Sequence, residues 1–130
     1  MNRSEMREQA FVLLYEHEFF KDKPCVELEE IYSENIAKLS AYAKQLFEGA
    51  VEEREPLDCV IEKFLKGWKI GRVSKINLAI LRLAVYEMNH SENVPESVVI
   101  NEAVELAKKY SGKEDSKFIN GILGSYSRSR

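Results

Sequence analysis

Apolar residues recur along this chain at intervals of three and four, the spacing of helix faces rather than strands. The first such stretch runs from Ser4, a good N-cap, to about Phe20. In it Met6, Ala10, Leu13, Leu14 and His17 follow one stripe, which Phe11, Tyr15 and Phe19 widen. Lys21-Asp22-Lys23-Pro24 ends it, because proline removes a donor and restricts the residue before it. A second helix is predicted over about Glu27 to Lys38, with Leu28, Ile31, Tyr32 and Ile36 apolar. Ser40 can cap a third, turning Tyr42, Ala43, Leu46, Phe47, Ala50 and Val51 inward. Pro56 starts a short fourth carrying Leu57, Val60, Ile61, Phe64 and Leu65. After a loop at Gly67–Gly71, Ser74 caps a fifth helix to about Met88. Asn93 to Pro95 opens a sixth, ending near Tyr110 before Gly112. Asp115 or Ser116 opens a last one to about Ser125, leaving Ser127–Arg130 to fray. No strand alternation or repeat is evident. The pattern predicts an all-α fold of about seven short helices around one core.

The fifth helix is apolar nearly all round, so it should be central and buried. Arg82 is the only charge between Lys75 and Glu87, and a charge in such surroundings needs a partner. Glu102 on the sixth helix is the expected one, with Asn101 bonding backbone.

The 130 residues, 45% hydrophobic, suit one domain with a real core. No apolar run approaches the ~18 residues of a membrane span, and the N-terminus lacks a signal peptide's apolar stretch. A cytoplasmic protein is expected. Cys25 and Cys59 form no CxxC pair and read as reduced, partly buried hydrophobes. The net charge of −3 hides an asymmetry. Residues 1–62 hold seven Lys/Arg against fifteen Asp/Glu; residues 63–130 hold twelve against seven. From Lys63 to Arg82 there are six basic residues and no acidic one. That segregation suits either a localised anion-binding surface or a solvated loop. Glu27, Glu29, Glu30 and Glu34 read as a solvated helix surface.

Catalytic and metal chemistry find no support. His17 and His90 have no metal-ligand spacing with Cys, Asp or Glu. Gly112-Lys113 lacks the upstream glycine and strand of a phosphate loop, and Gly67 with Gly71 lies in no βαβ unit. No catalytic residue, metal or cofactor is expected, and the protein is not expected to be an enzyme.

Binding is better represented. Arg3, Arg7, Phe11 and Tyr15 fall at i, i+4 steps along one ridge. Two guanidiniums at a helix start can grip phosphates, and Tyr15 can stack on an unpaired base. Equally, Phe11 and Tyr15 can be core, with the arginines paired to Glu5 and Glu8. Lys66, Lys69, Arg72 and Lys75 flank the single tryptophan, Trp68, which forms an RNA patch with them or plugs an end of the bundle.

Three sequences carry a resemblance: Ile80-Leu81-Arg82-Leu83-Ala84-Val85-Tyr86-Glu87; Val94-Pro95 with Ile100-Asn101-Glu102-Ala103-Val104-Glu105-Leu106-Ala107-Lys108-Lys109-Tyr110; and Glu114-Asp115-Ser116-Lys117-Phe118-Ile119-Asn120-Gly121-Ile122-Leu123. With Arg7-Glu8-Gln9-Ala10 and Leu14-Tyr15, they resemble the NusB family of bacterial transcription antitermination factors over nearly the whole chain. The resemblance implies two packed helical subdomains, about 1–55 and 56–126, forming one RNA-binding domain. It implies binding of boxA RNA together with NusE, a small-ribosomal-subunit protein, within the RNA polymerase antitermination complex, chiefly in ribosomal RNA operons. Both a monomer and a homodimer are compatible with it. It makes Arg3, Arg7, Tyr15, Lys113, Asp115, Lys117 and Phe118 the RNA-binding candidates, although Glu5 and Glu8 dilute the basic start. Two alternatives stand beside it: a stand-alone relative of the RNA-binding domain of ribosomal RNA methyltransferases, and a helical homo-oligomeric scaffold.

Overall fold

Helices alone build the fold in the computed structural model, which describes residues 1–130. They are α1 (Arg3–His17), α2 (Cys25–Asn35), α3 (Ala41–Glu52), α4 (Arg54–Lys63), α5 (Lys75–His90), α6 (Glu96–Tyr110) and α7 (Lys113–Arg128), with a 3-10 turn at Ile70–Arg72. Every residue from Asn77 to Met88 is buried, as the all-round apolar pattern requires. α5 packs against α1, α3, α4, α6 and α7, and α1 with α3 and α6 with α7 pack closely besides. Leu13, Phe47, Ile80, Leu81, Ile119 and Leu123 are among the fully buried side chains. Truncating one of the aliphatic ones to alanine would cost about 2–5 kcal/mol. No helix is long and apolar enough to cross a membrane.

Ser40 and Ser74 cap α3 and α5 as predicted, accepting from the backbone N–H of Ala43 and Asn77, each at 3.1 Å. At α1 the cap is Asn2, not Ser4. Its Oδ1 accepts from Glu5 N at 2.8 Å while Glu5 Oε1 accepts from Asn2 N at 3.0 Å, a reciprocal capping box. The Ser4 hydroxyl donates to Glu102 at 2.5 Å instead. α1 also ends at His17, short of Phe20. α7 begins at Lys113, ahead of the expected start. It continues to Arg128 because its end is tied down: Ser127 donates to Glu96 at 2.6 Å, and Arg130 pairs with Glu96 at 2.8 Å. The tail is therefore anchored rather than frayed.

α2 buries a narrower stripe than predicted. Leu28 and Tyr32 face inward, while Ile31 and Ile36 are exposed. Glu29 is buried beside Leu28, contrary to its reading as a solvated acid. Cys25 is half-buried as expected, but Cys59 is exposed on α4.

α3 and α5 approach closely at Gly49. A Cβ built there would lie 2.1 Å from Cζ of Tyr86, so only glycine leaves room for the phenol ring.

The expected Arg82–Glu102 pair does not form. Arg82 donates through Nε and Nη2 to Asp58 at 2.7 and 3.0 Å, and through Nη1 to Glu18 at 3.0 Å. Arg54 donates to both Glu18 oxygens at 2.9 and 3.0 Å. The cluster joins α1's C-cap, α4 and α5. Glu18 is buried, which alone would raise its pKa, but hydrogen bonding to Arg82 and the charges of Arg82, Arg54 and Lys21 hold it below the usual carboxylate range.

Candidate nucleic-acid interface

The short connections between α5, α6 and α7 fold these helices back on one another, so α5's start, α6's end and α7's start share one end of the molecule. The chain enters that end through a left-handed turn, Lys66 at φ 51° and Gly67 at φ 95°. The turn delivers Trp68 to the surface, where it is 58% exposed rather than plugging the bundle. Its ring lies 6.2 Å from that of Phe118 on α7. A groove of about 470 Å³ opens beside them, with Lys66, Lys117 and Arg128 on its walls and Ile122 at its apolar side. Phe118 itself is half-buried, packed against the core and lining the groove.

Lysines and arginines crowd this end. Lys69 and Arg72 line a second concavity with Trp68. Lys75 lies over the Phe19 ring at 5.8 Å. Lys117 has only the exposed Glu114 near it, at 3.8 Å. The start of α7 has Gly112 as N-cap, at φ 144°, with no side chain bonded to its first N–H groups. The capping expected of Asp115 or Ser116 does not occur. Asp115 accepts from the Ser111 hydroxyl and Ser116 donates to the carbonyl of Lys113, so neither side chain bonds the first N–H groups of α7. Such a terminus attracts anions.

From here an aromatic track crosses α1. Tyr15 packs edge-on against Phe19 at 5.2 Å and stacks on Phe11 at 6.4 Å, and Phe11 meets Tyr110 at 4.8 Å. Tyr15 stays half-exposed, whereas Phe11 is core. Glu8 interrupts the charge along this track, accepting from Lys109 at 2.6 Å and from the Tyr110 hydroxyl. Burial and the bond to Glu8 push the Tyr110 phenol up to about 12.

The two N-terminal arginines lie apart from this end. Arg7 is only 4% exposed, and its Nε donates to both oxygens of Glu87 at 2.8 and 3.0 Å. Glu87 also accepts from the Tyr42 hydroxyl. A guanidinium so committed is a structural anchor of α1 on α5, and its expected exposure as a phosphate ligand does not hold. Nor do Glu5 and Glu8 supply its partner. Arg3 stacks over the Tyr42 ring at 3.8 Å, toward α5's far end. Sequence reasoning passed over Lys109, Tyr110 and Phe19 in this region. Phe19 was within reach, being the next i+4 step on the Arg3–Tyr15 ridge.

The arrangement offers exposed aromatic faces, cations held by few acids and an open helix start. No three His, Cys, Asp or Glu side chains converge as metal ligands.

The family model that matches this sequence is that of the NusB family, over residues 4–128. The chain belongs to the NusB family. A transcription antitermination protein NusB from Acetivibrio thermocellus is 48% identical over 127 residues, covering 95% of this chain and 87% of that protein. One from Carboxydothermus hydrogenoformans is 41% identical, with 95% and 91% covered. Among solved structures, NusB of T. maritima superposes with a TM-score of 0.88 at 33% identity, covering all of this chain and 93% of the other. A chain from the crystal structure of antitermination factors NusB and NusE in complex with dsRNA gives a TM-score of 0.85 at 32% identity, with 98% and 97% covered. The NusB fold thus spans the whole of this chain.

Proposed function

We propose that this protein is a transcription antitermination factor that binds boxA RNA jointly with NusE. In that role it helps RNA polymerase read through terminators, chiefly in ribosomal RNA operons of the bacterial cytoplasm. The observation that carries this is the full-length likeness to the NusB chain of a NusB–NusE–dsRNA complex, 98% and 97% covered. The relatives it resembles bear the name transcription antitermination protein NusB, which favours this role over that of a methyltransferase's RNA-binding domain. The protein acts by binding and is not an enzyme. Residues 1–130 act as one RNA-binding domain, with helical subdomains of about 1–55 and 56–126 meeting across α5.

The RNA face centres on Lys113, Lys117 and Phe118, with Trp68, Lys69, Arg72 and Lys75 beside them and Tyr15 at its margin. Phe118 and Trp68 present faces for unpaired bases, since stacking tolerates any base. The lysines and the open start of α7 take phosphates. Asp115 contributes by orienting the Ser111–Gly112 turn. Arg3 serves as an outlying phosphate contact, and Arg7 supports the face only through α1's position.

Phosphate binding alone is weak for a chain of net charge −3, so RNA affinity depends on NusE as a second contact. The test is a titration of boxA RNA at near-physiological salt, with and without NusE. Affinity should rise at least tenfold with NusE present; equal affinity in both arms refutes joint recognition. Sedimentation with and without RNA distinguishes a monomer from a homodimer as the binding species.

A further inference from the structure

The acidic half of the chain carries a second concavity that the RNA face does not use. An open cavity of about 450 Å³ lies beside α2, with Glu29, Glu30 and Glu34 along it, Val26 and Leu39 as apolar walls, and Lys44 of α3 at its edge. Surface acids alone would mean nothing here. Glu29 is different: it is 5% exposed, and its Oε2 is buried with no hydrogen-bond partner. A buried carboxylate oxygen left unpaired carries its full desolvation penalty. Burial, then hydrogen bonding to Glu48 and the charge of Glu48, push the Glu29 carboxyl up to about 7. Of the other groups facing it, Glu30 adds to this and Lys44 opposes it through charge alone. The Cys25 thiol, beside both Glu29 and Glu48, is itself raised by burial and by these acids.

The missing element is a cationic donor. A divalent metal does not fit, since it wants six or more oxygens in a tight shell and no such group of ligands converges here. The cavity has instead the form taken by a long basic side chain: apolar walls for a methylene stem and carboxylates for its head. Its volume lies in the range of small-ligand sites, about 300–1,000 Å³. The surrounding half of the chain is strongly acidic, with fifteen Asp/Glu against seven Lys/Arg in residues 1–62, which complements a basic polypeptide.

We infer that this cavity docks one arginine or lysine side chain from a basic segment of a protein partner, its cationic head on Glu29 and its stem between Val26 and Leu39. Glu30 and Glu34 flank the head. Seating the cation favours ionised Glu29, so docking releases the proton that burial and the charge of Glu48 retain on Glu29, and it strengthens as pH rises toward 8.

The probe is acetyl-Gly-Arg-Gly-amide, titrated into the full-length ¹⁵N-labelled protein at pH 6 and pH 8, with the citrulline peptide as neutral control. Saturable shifts are expected at the amides of Val26, Glu29, Ser33 and Lys44, at least threefold tighter at pH 8. Glu29→Gln should weaken binding fivefold or more, and Glu52→Gln, an exposed acid elsewhere, should leave it unchanged. The inference is overturned by equal binding of the citrulline peptide, by pH-independent affinity, or by undiminished binding to Glu29→Gln. Equal shifts with spermidine would also overturn it, marking a surface that attracts any polycation. The pH and citrulline arms use the unaltered protein, so they decide the matter even if the variant folds poorly.

Discussion

Removing Arg82 tests the ion cluster at the centre of the fold. Its guanidinium makes three hydrogen bonds, at 2.7, 3.0 and 3.0 Å, to Asp58 and Glu18. Glu18 is the vulnerable partner, with a side chain only 4% exposed. Breaking a buried pair from one side costs about 3–5 kcal/mol, because the remaining charge is left without compensation. Arg54 still holds both Glu18 oxygens and Asp58 is partly exposed, so the lower end applies. Arg82→Ala should therefore lose about 3 kcal/mol, and Tm should fall by roughly 10–15 °C for a chain of this size. Urea unfolding followed by circular dichroism measures the loss. Double-mutant cycles pairing Arg82→Ala with Glu18→Gln and with Asp58→Asn should each show coupling above ~1 kcal/mol, whereas a cycle with Glu102→Gln should be additive within ~0.5 kcal/mol. A loss for Arg82→Ala below about 1 kcal/mol, or additivity with both Glu18 and Asp58, would refute the reasoning.

Other outcomes follow from neighbouring features. Gly49→Ala forces a methyl into the Tyr86 ring and should cost about 1–3 kcal/mol or more; Tyr86→Leu in the same chain should recover part of it, and urea midpoints decide. Arg7→Ala strands Glu87, which is 1% exposed, and should destabilise by about 3 kcal/mol; an unchanged Tm would show Arg7 to be a surface residue after all. Trp68→Ala and Lys117→Ala should leave Tm within a few degrees yet weaken boxA RNA binding, the first by about 1–3 kcal/mol and the second with a shallower salt dependence; normal RNA affinity in both would move the RNA face elsewhere. Two carboxylates shape the pH profile in opposite senses. Glu18, depressed below its unfolded value, contributes stability that is present at neutral pH and lost as pH falls through its folded pKa. Glu29, raised from 4.5 to about 7, contributes stability that is full below 4.5 and lost as pH rises through 7. Stability measured from pH 5 to 8 should thus decline less in Glu29→Gln than in the unaltered protein.

The helices themselves were legible in the sequence. Their apolar stripes, Ser40 and Ser74 as caps, and the all-round apolar character of α5 are local properties, and period and propensity report them directly. The likeness to the NusB family was legible too, because its motifs lie in continuous segments such as Ile80–Glu87. Which charge meets which was not. Arg82 found Glu18 and Asp58, 64 and 24 residues away, and Arg7 found Glu87, 80 residues away. Nothing in a linear pattern ranks one distant carboxylate over another, since the choice depends on how helices cross. The same holds for exposure. Arg7 and Lys117 both read as charges at helix starts, yet packing of α1 against α5 buried one and left the other in solvent. Glu29 likewise looked like one acid among four until the fold buried it near Glu48 of α3. Sequence set the faces of the helices; their crossing decided which polar groups on those faces lost contact with water.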